Sequence, residues 1–276
     1  MVNSLKDYVV LKNGTRMPWL GFGVFQMQPG METEQSVRIA LETGYRSLDT
    51  AAIYGNEESV GQAIQTSDVS REEIFITTKV WNSDLGFEQT LKAFDICRIN
   101  LNVETIDLYL IHWPVKGRYV EAWKALEKLY QEGLVRAIGL SNFQIHHIKD
   151  ILSVCHVEPM INQVVFHPLL QQPKLHQFCV ENEIQVEAWA PLMQGHGMNH
   201  PTLIEIGGKY GKSPAQVLIR WDLQKEVVTI PKSITPHRIL ENSKVFDFEL
   251  SPEDVALIDA LDEGRRFGAD PDNFNF

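Results

Sequence analysis

The chain has 276 residues, 44% of them hydrophobic and 22% charged, with a net charge of −11. That acidity argues against a nucleic-acid backbone or an anionic membrane as partner, yet leaves room for one local basic pocket. The three cysteines, Cys97, Cys155 and Cys179, are odd in number and far apart, which fits reduced thiols in a cytoplasmic protein better than a disulfide framework. No apolar run approaches about 18 residues, and Met1 to Asp7 carry no apolar leader core, so neither membrane insertion nor secretion is expected.

In chain order, Tyr8–Leu11, the turn Lys12–Asn13–Gly14 and Met17–Pro18 predict a short hairpin, because Asn-Gly accepts the positive φ of a tight turn. Eight strand-like runs follow, at 20–23, 47–49, 74–78, 106–111, 135–139, 161–164, 185–188 and 228–230. Amphipathic stretches at 33–42, 57–65, 88–100, 119–132, 145–153 and 174–182 lie between them. Gly44 and Gly133 stand where helix C-terminal glycines belong, Ser213–Pro214 opens a helix with proline in its first position, and Ser70–Glu73 has a capping pattern. Repeated strand–helix units bring strands into parallel, and eight of them predict an α/β protein closed into a (β/α)8 TIM barrel. Residues 1–276 read as one domain, with the N-terminal hairpin closing the barrel bottom. An open doubly wound sheet is the rival, but Gly21-Phe22-Gly23 lacks the third glycine of that fold's phosphate loop.

Barrel enzymes project their reactive groups from the C-terminal ends of strands. Here three successive strand ends carry Asp49 with Tyr54 close behind, Lys79, and His112. Taken singly, each has an ordinary role: a turn-capping carboxylate, a packed aromatic, a lysine reaching out of the barrel, a satisfied core histidine. Together they suit one reaction. Carbonyl reduction needs a hydride at carbon and a proton at oxygen, and a tyrosine of pKa near 10 is a slow acid at neutral pH. A buried ammonium beside it would lower that pKa, a carboxylate would hold the ammonium charged, and an imidazole could donate to the carbonyl oxygen.

The sequence resembles the aldo-keto reductase family. Gly44-Tyr45-Arg46-Ser47-Leu48-Asp49-Thr50-Ala51 with Tyr54-Gly55-Asn56-Glu57 looks like its first signature, and Leu126-Glu127 with 133–143 like its second. Ile230-Pro231-Lys232-Ser233 with Arg238 and Glu241-Asn242 looks like its third, and the likeness covers nearly the whole chain. The prokaryotic branch, with glyoxal, methylglyoxal and 2,5-diketo-D-gluconate reductases, is the most similar. The resemblance implies NADPH-dependent reduction of small aldehydes and ketones by a monomer, with Tyr54 as proton donor, Asp49 and Lys79 tuning it and His112 orienting the substrate. It implies nicotinamide carboxamide contacts at Ser141, Asn142 and Gln163, ring stacking on Trp189, and further cofactor contacts at Pro191, Leu192, Glu241 and Asn242. The residues themselves agree at the third signature: Lys232, Ser233 and Arg238 offer two cations and a hydroxyl just after the last strand, a set suited to the 2′-phosphate of NADPH.

Two departures bear on function. Ala190 stands where members often have serine beside the pyrophosphate, and the segment after Gly264 is too short for a long specificity loop. An open, broad pocket lined by Phe25, Trp81 and Trp113 is therefore expected. His146–His147 stands at a helix start, and the i, i+4 pair His196 and His200 is not expected to hold a metal, with glycine between the two and no third ligand nearby. Two rival roles are a non-catalytic nicotinamide-binding subunit and a barrel lyase that uses Lys79 as a Schiff-base nucleophile.

Overall fold

The computed structural model describes residues 2–274 and 276. Strands β1 (Tyr8–Val10) and β2 (Arg16–Pro18) form the antiparallel hairpin, turning at Gly14 with φ 86°. The turn is tied to what lies above it. Asn13 Nδ2 and Thr15 Oγ1 both donate to the Arg136 carbonyl, at 2.9 and 3.2 Å, and Lys12 Nζ donates to the Asn182 carbonyl at 3.0 Å. The first carbonyl lies at the start of a barrel strand and the second three residues before another, so the hairpin crosses the N-terminal end of the barrel.

The barrel strands are β3 (Phe22–Gly23), β4 (Ser47–Asp49), β5 (Phe75–Val80), β6 (Ile106–Ile111), β7 (Val135–Ser141), β8 (Ile161–Val165), β9 (Gln185–Trp189) and β10 (Val228–Thr229). They pair in sequence order, all parallel. A parallel bridge between Leu20 and Thr229 closes the ring, supported by Gly21 N–H to the Thr229 carbonyl at 2.9 Å and Gly23 N–H to the Pro231 carbonyl at 3.2 Å. The interior tolerates little extra volume. A Cβ on Gly139 in β7 would lie 2.3 Å from Ile161 Cγ2 and 2.8 Å from the Ile161 carbonyl oxygen.

Helices α1 (Met31–Thr43), α2 (Glu57–Gln65), α3 (Phe87–Leu101), α4 (Tyr119–Gln131), α5 (Ile145–Leu152) and α6 (Pro173–Glu181) follow β3 to β8 in turn. α7 (Pro201–Tyr210) and α8 (Pro214–Gln224) both follow β9, and α9 (Pro236–Ser243) and α10 (Pro252–Asp259) follow β10. Gly44 ends α1 in the left-handed region at φ 109°, and Gly133 follows α4 at φ 73°, both as their placement predicts. Ser213 and Gln216 form a reciprocal capping box at the start of α8. Ser70–Glu73 does not start an α-helix. It makes one 3-10 turn, Arg71–Glu73, that runs straight into β5 and leaves no room for a second turn.

Trp123, Trp221, Tyr45 and Phe94 are fully buried in the apolar core. After α10 the chain crosses the C-terminal end of the barrel. Arg265 N–H donates to the Leu169 carbonyl at 2.8 Å, Phe267 stacks on His196 with centroids 4.7 Å apart, and the last aromatics reach Trp113 and Trp81. Among the described residues no helix is long and apolar enough to cross a membrane.

The crowding at Gly139 sets a test of the barrel interior. Gly139→Ala should cost about 1–3 kcal/mol of unfolding free energy, read as a lower urea midpoint at unchanged slope. An unaltered midpoint would mean that β7 and β8 do not approach this closely.

Candidate active site

Asp49 is the last residue of β4, Lys79 the penultimate residue of β5, and His112 follows β6, so the three face one another at the C-terminal end of the ring. Lys79 is fully buried. Its Nζ donates to Asp49 Oδ1 and Oδ2 at 2.7 and 2.9 Å and to the Thr50 carbonyl at 2.8 Å, which occupies all three ammonium hydrogens. Burial is the largest single influence and pulls the lysine pKa down, but the charge and hydrogen bond of Asp49, with Tyr54 and Glu187, together outweigh it and the value rises. A neutral amine for Schiff-base chemistry is not available from such a site.

Tyr54 ends a 3-10 turn, Ala52–Tyr54, which Gly55 closes at φ 67°. Its ring lies 5.2 Å from Lys79 Nζ, 5.7 Å from the His112 ring and 4.9 Å from Phe25, centroid to centroid for the two rings. The sequence leads one to expect a lowered phenol pKa; the structure reverses the net sign. Loss of solvent pushes Tyr54 up to about 12, with Lys79 opposing and Asp49 adding to the rise. Asp49 partly neutralises the charge that Tyr54 would feel, so the phenol stays protonated across the neutral range.

His112 is buried 5.2 Å from Trp81, ring to ring, and its pKa falls well below 6.5, first through burial and then through Lys79. The ring is therefore neutral. It is not a satisfied core histidine: Nδ1 is buried with no hydrogen-bond partner among the described residues.

The groups singled out for a nicotinamide lie on the next strands. Ser141 ends β7, and Asn142 follows in the left-handed region at φ 64°. Asn142 Nδ2 donates to the His112 carbonyl at 3.0 Å and to Ser141 Oγ at 3.1 Å, while its Oδ1 accepts from Trp189 Nε1 at 2.8 Å. Gln163 in β8 donates from Nε2 to Asp49 Oδ2 and to Glu187 Oε2, both at 2.8 Å. Sequence reasoning missed Glu187. The available signal was a carboxylate inside the otherwise apolar run Val186-Glu187-Ala188-Trp189, at a position that the barrel turns inward. Burial and then Asp49 push Glu187 up to about 8, and its Oε1 has no partner among the described residues.

Beyond β10, Lys232 and Arg238 are exposed, and neither has an ion-pair partner among the described residues. Ser233 Oγ accepts the Thr235 N–H at 3.1 Å just before α9, on which Glu241 is part-buried and Asn242 buried. Pro191 is buried and Leu192 half-buried after β9, and Ala190 sits in the left-handed region at φ 53°. His196 lies in the 3-10 segment Met193–Asn199 and His200 follows it as the N-cap of α7, so the two do not share one α-helical face. His146 and His147 instead meet Asp272, at 3.1 and 3.6 Å, but His147 Nδ1 accepts the Gln144 N–H, which leaves its proton on Nε2.

The expected open pocket is corrected by the C-terminal tail. Phe25 is exposed at the rim, but Phe276 stacks on Trp81 at 5.8 Å and meets Trp113 edge-on at 5.2 Å, while Phe274 packs on Trp113 at 5.1 Å. Asn82 Nδ2 donates to the Phe276 carbonyl at 3.1 Å. Short as it is, the tail supplies two aromatics of its own and narrows the entrance.

Comparison with known proteins shows the family. The aldo/keto reductase family model matches residues 20–263. The chain is 55% identical to the glyoxal reductase of Bacillus subtilis (strain 168) over all of both chains. It is 46% identical to the methylglyoxal reductase DkgA of Escherichia coli (strain K12), over 96% of this chain and 97% of that one. A Gox0644 variant in complex with NADPH superposes with a TM-score of 0.93 at 40% identity, over 98% of each chain. The chain belongs to the aldo/keto reductase family.

Proposed function

We propose that this aldo-keto reductase reduces small aldehydes and ketones to alcohols with NADPH, α-oxoaldehydes such as glyoxal and methylglyoxal among them. The observation that carries the reading is Lys79, held charged by Asp49 with every N–H used, beside a protonated Tyr54. NADPH, when bound, supplies the hydride to the carbonyl carbon. Tyr54 gives its proton to the carbonyl oxygen, and Lys79 stabilises the phenolate left behind. Neutral His112 donates a hydrogen bond to the same oxygen and fixes its direction. The names of the two reductase relatives and the NADPH of the Gox0644 complex support this assignment.

The residues present fit that cofactor. Lys232 and Arg238, without ion-pair partners among the described residues, and the Ser233 hydroxyl would hold a 2′-phosphate, Ser141, Asn142 and Gln163 would hold the carboxamide, and Trp189 would offer a face for the nicotinamide ring. Pro191 and Leu192 would contact the cofactor between these ends, and Glu241 and Asn242 on α9 would contact its adenosine. Aromatic walls from Phe25, Trp81 and Trp113, lowered by Phe274 and Phe276, suit a substrate of a few carbon atoms. All of these groups come from one chain, so a single-domain monomer suffices, and thiols as buried as Cys97 and Cys179 suit the cytoplasm.

Tyr54→Phe should lower kcat about 100- to 10,000-fold with methylglyoxal while NADPH binding is retained; full activity in NADPH absorbance assays would rule Tyr54 out as the donor. Arg238→Ala should raise KM for NADPH about tenfold and leave the KM for NADH almost unchanged, whereas equal weakening would remove the phosphate clamp. The double variant Phe274→Ala, Phe276→Ala should raise KM for methylglyoxal severalfold and speed bulkier aromatic aldehydes. An identical substrate profile would show that the tail does not set the pocket.

A further inference from the structure

We propose that Glu187 is a positioning residue: with Asp49 it clamps both N–H groups of the Gln163 side-chain amide, leaving only the Gln163 oxygen to meet the nicotinamide carboxamide. The inference rests on the NADPH reading above and adds a determinant of how that cofactor is oriented.

The geometry is specific. Gln163 and Glu187 are direct register partners on adjacent strands β8 and β9, so their side chains share the inner face of the barrel. Asp49 reaches the same amide from β4, across the interior. Each carboxylate accepts one of the two Nε2 hydrogens at 2.8 Å. Turning the amide over would set its oxygen against Asp49, whose charge is fixed by Lys79, and against Glu187. Asp49 alone does not complete the lock, because it satisfies one N–H and leaves the other free to address a ligand. Glu187 removes that second option.

The arrangement survives a change in the charge of Glu187. A protonated carboxyl still accepts through its carbonyl oxygen, so the bond from Gln163 persists on either side of a pKa raised to about 8 by burial. The same burial argues that the residue is kept for its oxygen. A carboxylate at 0% exposure, with Oε1 unpartnered among the described residues, is unfavourable for packing alone. A carboxamide facing Gln163 must then present its N–H, which fixes which way the amide group of the nicotinamide lies.

The test uses full-length protein and two cofactors, NADPH and its 3-acetylpyridine analogue, in which a methyl ketone replaces the carboxamide and no N–H remains. Dissociation constants are read from quenching of tryptophan fluorescence. Wild type should prefer NADPH over the analogue. Glu187→Leu should raise Kd for NADPH about 5- to 20-fold and shrink that preference severalfold, because the freed Gln163 N–H can now donate to the ketone. Glu187→Gln, whose side-chain oxygen can accept the same N–H, should keep both the affinity, within about threefold, and the preference. A merely structural role for Glu187 would lower thermal stability in both variants without moving the ratio of the two constants. Should Glu187→Leu fail to fold, Gln163→Met must lose the preference too. An unchanged ratio in Gln163→Met or in folded Glu187→Leu would overturn the proposal alone. No NADPH binding by wild type would overturn the functional reading together with it.

Discussion

The Lys79–Asp49 pair is the constraint on which the rest of the site depends. An ammonium at 0% exposure is tolerated only because Asp49 and the Thr50 carbonyl occupy all three of its hydrogens. Removing either charge leaves the other buried and uncompensated, at a cost of about 3–5 kcal/mol. From this pair the nearby groups take their states. His112 is driven further toward neutrality by the lysine, Tyr54 feels a field partly cancelled by the aspartate, and Gln163 finds a charged acceptor that orients its amide. One ion pair thus sets a phenol, an imidazole and an amide in complementary roles.

Parallel closure is what brings these groups together. Asp49, Lys79, Gln163 and Glu187 come from four strands yet meet inside one ring, because in a barrel alternate residues of every strand point inward at matching heights. Close packing beneath, as at Gly139, leaves the interior no freedom to rearrange. Preorganisation of this kind is what makes a weak acid useful: the donors stand in place before a carbonyl arrives.

Much of this was legible in the residues. The strand–helix alternation gave the barrel, with strand bounds correct to within one or two residues at nearly every end, because strongly apolar runs leave little choice of element. Asp49, Tyr54, Lys79 and His112 could be found from their places at strand ends. Three features could not. Whether burial or Lys79 governs Tyr54 is a balance of opposing fields that only coordinates resolve. Glu187 gains its meaning from Gln163, 24 positions earlier, and a register no local pattern reveals. The segment after Gly264 is too short for a long specificity loop, but Phe274 and Phe276 carry no periodic signal and act only through where the backbone delivers them.

The ring has a thin seam. β3 and β10 contribute two residues each, and the Leu20–Thr229 bridge with the Gly21, Thr229 and Gly23 amides joins them. Fewer backbone bonds span this gap than span β5 and β6, so it is the natural place for the barrel to breathe. Pro231, whose carbonyl closes the seam at Gly23, is followed directly by Lys232. The backbone link that closes the ring and the exposed cation beyond it are thus consecutive in the chain.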